Sequence, residues 1–372
     1  MKRPKALSLL PVANIETIPS KIFPINEPIA NLGAIYFIYV QDKLITIEGW
    51  LASFNQGQVE QFKLLIGGQE ITDFDLTLGL PSPDVKEIYP YLDHAATARF
   101  RIQVSLQEDP EQLHNCLIIL TPLFQGKEGQ VLVTILNPSL PIPSEEYINY
   151  VGGGGEWFFK HFAFEFLGYF IQRVGLKPTD SVLDVGCGVG RMAYGLTSYL
   201  KPPGRYEGFD AVQFLIEWPK QEITSRFPYF NFYRVDLHNL MYNPSGIIKP
   251  INLVFPYADE SFDFVFLTSV FTHLQPPEVR NYLSEIYRVL KPGGRCLCTF
   301  FLINKESEKL ISEGKSSQAL IYELEEYFTK DLNVPEEAIG YRESLLLEWI
   351  TNYEFSIVDI SYGFLVWPHG IY

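Results

Sequence analysis

The chain has 372 residues, with 29 Lys and Arg against 44 Asp and Glu, a formal charge of −15. Its 47% apolar content supports a large core and excludes a globally disordered polymer. Lys2, Arg3 and Lys5 form the sole basic cluster, too little to track phosphates, so neither nucleic acid nor an anionic membrane is expected as a partner. The charge is uneven: residues 1–150 hold 10 basic and 17 acidic groups, 151–300 hold 14 of each, and 301–372 hold 5 and 13. No run is long and apolar enough for a membrane span, and Pro11, Asn14 and Glu16 cut short the apolar run after Lys5, so no signal peptide is expected. Cys116, Cys187, Cys296 and Cys298 show neither disulfide nor zinc spacing. A reduced, cytoplasmic protein without a metal centre is the expectation.

Prolines interrupt residues 1–30, which predicts an amino-terminal arm. Aromatic and β-branched runs then predict strands at 34–40, 44–50, 61–66, 98–104, 115–120 and 130–136, separated by Gly, Pro, Asp and Asn. The stretch 98–104 alternates polar and apolar residues as a half-buried strand does. Such runs without a strong helix predict an all-β sandwich over 31–137. Pro138, Pro141 and Pro143 mark a linker over 138–150. Beyond it, helices are predicted at 157–174, 191–200, 212–227, 277–290 and 342–351. Strands are predicted at 181–185, 206–209, 231–235, 262–267, 295–301 and 355–361. That alternation predicts a Rossmann-like α/β domain over 151–372, a mostly parallel sheet with helices on both faces.

Val182-Leu183-Asp184-Val185-Gly186-Cys187-Gly188-Val189-Gly190-Arg191 runs a buried strand into a glycine turn that opens a helix. In a doubly wound sheet, ligands bind at such carboxyl ends. The pattern differs from the dinucleotide fingerprint, because Arg191 stands where a third, helix-packing glycine is needed. Asp210 ends the next predicted strand, where a carboxylate can accept from ribose hydroxyls. Asp236 ends the third, where it can accept from an adenine amino group while the Leu237 backbone reads the ring edge. A lone Asp at a strand end otherwise serves as a cap or turn residue.

These residues resemble class I S-adenosylmethionine-dependent methyltransferases. The stretch from Leu183 to Gly190 resembles their motif I. Ala258-Asp259-Glu260-Ser261-Phe262-Asp263-Phe264-Val265, with Val270-Phe271-Thr272-His273-Leu274, resembles their fourth-strand region. Arg288-Val289-Leu290-Lys291-Pro292-Gly293-Gly294 resembles their turn into the fifth strand. The resemblance covers about residues 157–303 and implies S-adenosyl-L-methionine as cofactor. It implies contacts from Asp184, Gly186, Cys187, Gly188 and Gly190 to the methionine and ribose, and from Asp210 and Ala211 to the ribose. Asp236 and Leu237 fall at the adenine, and Thr268 at the sulfonium. His273, following the fourth strand on the catalytic face, is the candidate proton acceptor, with a histidine bracing the next helix as the alternative.

Two segments fall outside that pattern. An insertion after Asp236 carries Tyr242 and Asn243, and a second over 304–340 carries Tyr322; these are candidate acceptor contacts on a cap, with plain surface loops as the alternative. Glycines 152–155 make either a hinge or a loop that closes over the cofactor with Trp157 or Phe158. The family's last strand has only 364–372 to use, which Pro368 interrupts. The expected acceptor is a small molecule or saccharide, methylated on oxygen; Gly49-Trp50 and Tyr89-Pro90 resemble accessory modules of sugar-modifying enzymes. The alternative is a non-catalytic, cofactor-binding protein whose sandwich holds a glycan or protein partner.

Overall fold

The computed structural model describes residues 5–11, 30–41, 43–54, 56–105 and 113–362. The first strand, β1 (Lys5–Pro11), belongs to the carboxyl-terminal sheet. After it come β2 (Asn31–Gln41), β3 (Leu44–Ser53), β4 (Gln61–Ile66), β5 (Gln69–Ile71), β6 (Asp75–Leu80), α1 (Pro83–Ile88), β7 (Arg99–Ser105), β8 (Cys116–Phe124), β9 (Lys127–Glu128) and β10 (Leu132–Leu136). These strands form two antiparallel sheets, ordered β2-β3-β7-β6 and β10-β8-β4-β5, with β9 paired to β8. The period of two turns Ile45 and Ile47 of β3, and Phe100, Ile102 and Val104 of β7, inward against Phe62, Leu64, Ile118 and Leu120 of the facing sheet. The sequence expectation did not include β6, because an edge strand leaves its Leu76 and Leu78 only half-buried.

The segment expected as a linker contains a helix, α2 (Glu145–Tyr150), whose Tyr147 ring stacks on Phe214 at 4.2 Å. Then follow α3 (Gly155–Tyr169), β11 (Ser181–Val185), α4 (Arg191–Leu196), β12 (Arg205–Asp210), α5 (Gln213–Pro219), β13 (Phe230–Arg234), β14 (Phe262–Leu267), α6 (Pro276–Val289) and β15 (Leu290–Ile303). The strands β13-β12-β11-β14-β15 run parallel in that order, the expected Rossmann-like sheet. The second insertion is no plain loop. It folds as α7 (Lys305–Ser312), β16 (Tyr322–Glu323), β17 (Phe328–Thr329) and β18 (Ile339–Arg342), and β18 extends the end of β15. The chain continues through α8 (Glu343–Asn352) to β19 (Phe355–Ile360). Part of the expected arm is therefore a strand: β1 lies parallel between β15 and β19. Residues 364–372, where Pro368 bears on a last strand, lie outside the described residues.

The two halves share one core. Val131, just before β10, and Val133 and Ile135 on it share a cluster with Phe162 and Phe166 of α3. A Cβ on Gly168 would lie 3.1 Å from Val131, so glycine lets the helix backbone press on the sheet. Gln172 clamps the contact: Val131 N–H donates to its Oε1 at 3.1 Å, and its Nε2 donates to the Gly129 carbonyl at 2.9 Å. On the opposite flank, Phe170 packs 4.7 Å from Phe266 of β14. Among the described residues no helix is long and apolar enough to cross a membrane.

Helix α4 approaches α3 so closely that a Cβ on Gly195 would sit 2.6 Å from the Ala163 carbonyl oxygen. Alanine ordinarily stabilises a helix interior relative to glycine. Gly195→Ala is expected to do the reverse here, lowering stability by about 1–3 kcal/mol as an overpacked contact does, measured as a reduced urea midpoint at unchanged slope.

Candidate active site

The turn after β11 is built around backbone that side chains cannot share. Gly186 and Gly188 have φ of +78° and +51°. A Cβ on the first would lie 2.5 Å from Val270, and on the second 3.0 Å from Val151. The Gly186 and Cys187 N–H groups donate to the Phe209 carbonyl at 2.9 and 3.1 Å, which fixes the turn to the end of β12. The Cys187 side chain is buried and its thiol is pushed well above its ordinary pKa by burial, so the sulfur belongs to the core and only the backbone is left to meet a ligand. Gly190 opens α4.

Asp210 closes β12. Its Oδ2 accepts from Gly188 N–H at 2.8 Å and its Oδ1 from Val212 N–H at 2.9 Å, across Ala211. Burial raises its pKa and these N–H groups oppose the rise. Each oxygen retains acceptor capacity. Asp184, in β11, is fully buried; its Oδ2 accepts from the Tyr206 hydroxyl at 2.7 Å, while its Oδ1 has no partner among the described residues. Burial pushes its pKa up to about 8, offset in part by the Tyr206 hydrogen bond and by Arg191. Arg191 lies over the Phe162 ring at 5.1 Å, and burial lowers its pKa to about 10. An unpartnered buried carboxylate oxygen costs about 1–3 kcal/mol or more, which marks a place for a ligand's donor. Tyr206 was not among the residues read from sequence. Its one trace there is Gly208, opposite Asp184 in the register, where a Cβ would lie 2.8 Å from the Tyr206 hydroxyl.

Beyond β13, Asp236 anchors the first insertion. Its Oδ1 accepts from Arg234 at 2.5 Å and from Asn243 at 3.1 Å, and its carbonyl accepts from the Ile247 and Ile248 N–H groups. Leu237 bridges to Ile248. Asn243, expected as an acceptor contact, spends both amide hydrogens within the insertion, on Asp236 and on the Leu237 carbonyl at 2.9 Å, and so braces it. Its neighbour Tyr242 turns the other way, its hydroxyl 3.4 Å from His273 Nε2.

His273 sits on a short helical turn after β14, with Nδ1 2.8 Å from the Glu336 carbonyl oxygen. A carbonyl only accepts, so Nδ1 carries the proton and Nε2 presents a lone pair toward Tyr242. Burial lowers the His273 pKa, which the Glu336 carbonyl partly opposes; burial pushes the Tyr242 phenol up to about 12. At neutral pH the pair is thus a neutral imidazole and a protonated phenol. Glu336 belongs to the second insertion, so both insertions meet at His273. Its contribution is a backbone atom, which no residue type announces. Tyr322 is not gathered with them; it lies exposed on β16, the outermost strand of the extended sheet. Thr268 is half-buried immediately after β14, before Ser269 at φ +58°. The loop before α3 lays Val151 against Gly188, whereas Trp157 is 51% exposed and stacks on His161. Among the described residues no group of His, Cys, Asp and Glu is placed to hold a metal ion.

Residues 183–298 match the family model described as a methyltransferase domain. Over those residues the chain is similar to methyltransferase domains. A demethylmenaquinone methyltransferase of Symbiobacterium thermophilum is 28% identical over 151 residues, 41% of this chain and 52% of that protein. An uncharacterized methyltransferase of Schizosaccharomyces pombe is 32% identical over 123 residues, 33% of this chain and 40% of that protein. The chain spans about half the length of the curated relatives it matches, or less. A solved structure of a methyltransferase from Aquifex aeolicus has 24% identity over 33% of this chain and 56% of its own, at a TM-score of 0.25. The methyl donor of this family is S-adenosylmethionine. Its ammonium, ribose diol and chain suit the free Asp184 oxygen, the Asp210 carboxylate and a cradle that any Cβ would fill.

Pairing with an ammonium favours the ionised form of Asp184, which at pH 7 lies below its raised pKa of about 8. Binding of S-adenosylhomocysteine at pH 7 is therefore expected to release protons, and the release should fade as pH rises past that value. Calorimetry in two buffers of different ionisation enthalpy measures it. Equal heats, or release retained in Asp184→Asn, would count against the pairing.

Proposed function

We propose that the chain methylates a hydroxyl group of a small molecule or saccharide, with His273 as proton acceptor. The carrying observation is the His273 tautomer: Nδ1 is committed to the Glu336 carbonyl, which leaves Nε2 as a lone-pair acceptor beside the Tyr242 hydroxyl past the carboxyl end of β14. S-adenosylmethionine supplies a methyl group on a cationic sulfur, open to in-line attack by oxygen. Asp184 holds the ammonium, Asp210 the ribose, and Asp236 with Leu237 the adenine edge, Asp236 keeping lone pairs beyond those given to Arg234 and Asn243. The glycine turn supplies close backbone contact, and Thr268 flanks the sulfonium. His273 Nε2 takes the hydroxyl proton as the oxygen–carbon bond forms and the carbon–sulfur bond breaks. Tyr242, protonated, orients the acceptor by donating a hydrogen bond. The acidic flanks of the chain disfavour a polyanionic acceptor.

A second reading concerns the acceptor's polarity. Leu240, Met241, Ile247, Ile251 and Val254 of the first insertion are all exposed. That surface suits an apolar acceptor, the class to which the named substrate of the demethylmenaquinone methyltransferases belongs.

A labelled-methyl screen over sugars, glycolipid precursors, phenols and hydroquinones tests both readings. Label on a sugar or phenol oxygen supports the first and label on an apolar ring the second. No transfer from chain that binds S-adenosylhomocysteine would favour a purely binding protein. On the accepted substrate, His273→Ala is expected to lower kcat by about 10²–10⁴-fold while leaving S-adenosylhomocysteine affinity unchanged. Because burial lowers the histidine pKa, the acid limb of the wild-type pH–rate profile should fall below 6.5. A variant with unchanged kcat removes His273 from the mechanism.

A further inference from the structure

The outer face of the β2-β3-β7-β6 sheet departs from what a solvent-facing antiparallel sheet needs. Such a face is ordinarily polar, and edge strands are kept charged. Here the edge strand β2 carries Phe37 at 61% and Tyr39 at 47% exposure. A bulge between Ile35 and Phe37 sets Tyr36 on the same side as Phe37, their rings 5.2 Å apart, with the Arg99 guanidinium 5.7 Å from the Tyr36 ring. The inward positions of β2 are taken by Ile35, Ile38 and Val40, so these three rings serve no core.

The register sets a row of planar or hydroxyl-bearing polar groups beside each ring. Phe37 is followed across the sheet by Glu48, Arg101 and Thr77, and Tyr39 by Thr46, Gln103 and Asp75. The charges largely cancel in place: Arg101 pairs with Glu48 at 2.6 Å and Arg99 with Asp84 at 2.8 Å. Flat apolar rings beside forked donors and acceptors match a pyranose, whose C–H face stacks on an aromatic ring while its hydroxyls reach sideways. The cancelled charge selects an uncharged occupant and disfavours nucleic acid. The paired charges beside Tyr36 and Phe37 also differ from a protein interface, whose core is depleted of them. The opposite sheet of the sandwich cannot serve, because its outer side is packed on α3.

We infer that this face, around Tyr36, Phe37 and Tyr39, binds a neutral glycan chain, independently of the methyltransferase site. Native affinity electrophoresis of the full chain through gels containing mannan, galactomannan, dextran or soluble starch tests it. Wild type is expected to be retarded by at least one of them, and Phe37→Ser with Tyr39→Ser to weaken that binding at least tenfold. S-adenosylhomocysteine affinity, measured in parallel, should be equal in the two proteins; this shows that the variant is folded and keeps the outcome separate from the question of methyl transfer. Retardation of neither protein, equal retardation of both, or retardation only in an anionic polysaccharide gel overturns the inference. So does sedimentation showing that the double variant turns a wild-type dimer into a monomer, which would make the face a contact between copies.

Discussion

Helix α3 is apolar on opposite flanks because it has two partners to pack against. A helix that buries more than one stripe is held by its surroundings rather than by its own propensity. Gly168 of α3 and Gln172 just beyond it meet the sandwich side, and Phe170, on the opposite flank, meets the parallel sheet. The glycines at 168 on α3 and 195 on α4 let backbone approach backbone on both sides. The same helix begins in the loop that lays Val151 on Gly188, so the position of the cofactor cradle depends on packing that reaches into the amino-terminal half. The sandwich is thus part of the frame of the site.

Within that frame, burial acts oppositely on the two key groups. It raises the Asp184 carboxyl and lowers the His273 imidazole, in each case favouring the neutral form. In the proposed reaction the neutral carboxyl meets a cation and the neutral imidazole takes up a proton. Each is oriented by a neighbour, Asp184 by the Tyr206 hydroxyl and His273 by the Glu336 carbonyl, which can only accept.

The elements proposed to hold the cofactor were legible in the sequence because they are local: a strand, a glycine turn and carboxylates at or near successive strand ends. Asp184 and Asp210 occupy the places the spacing implied. Tyr206 was hidden because its hydrogen bond crosses between strands. The acceptor half was legible only in part. Tyr242 and His273 do meet, but that depends on how the first insertion folds back. Asn243 faces its own insertion and Tyr322 an outer edge, since composition alone does not tell which way a loop residue turns. In the fold, strands with strong alternation, such as β7, were placed nearly to the residue. Helix α2 was missed behind its prolines, and β6 behind its half-buried edge position. No local pattern identifies β1, which is a strand only through partners almost a chain length away.

That last pairing makes the carboxyl-terminal domain discontinuous along the chain. Ala6 aligns with both Arg295 and Ser356, so a strand synthesised before the sandwich is joined to its sheet only after the sandwich has been made. Among the described residues, the sandwich strands from Asn31 to Leu136 pair only within that stretch and can do so while synthesis continues. Until β15 and β19 exist, β1 has two unsatisfied edges, the condition in which strands pair wrongly with other chains. Contacts of such separation slow folding through the entropy of closing long loops. No single cut in the sequence separates the two domains, because the catalytic sheet encloses the sandwich within its own chain.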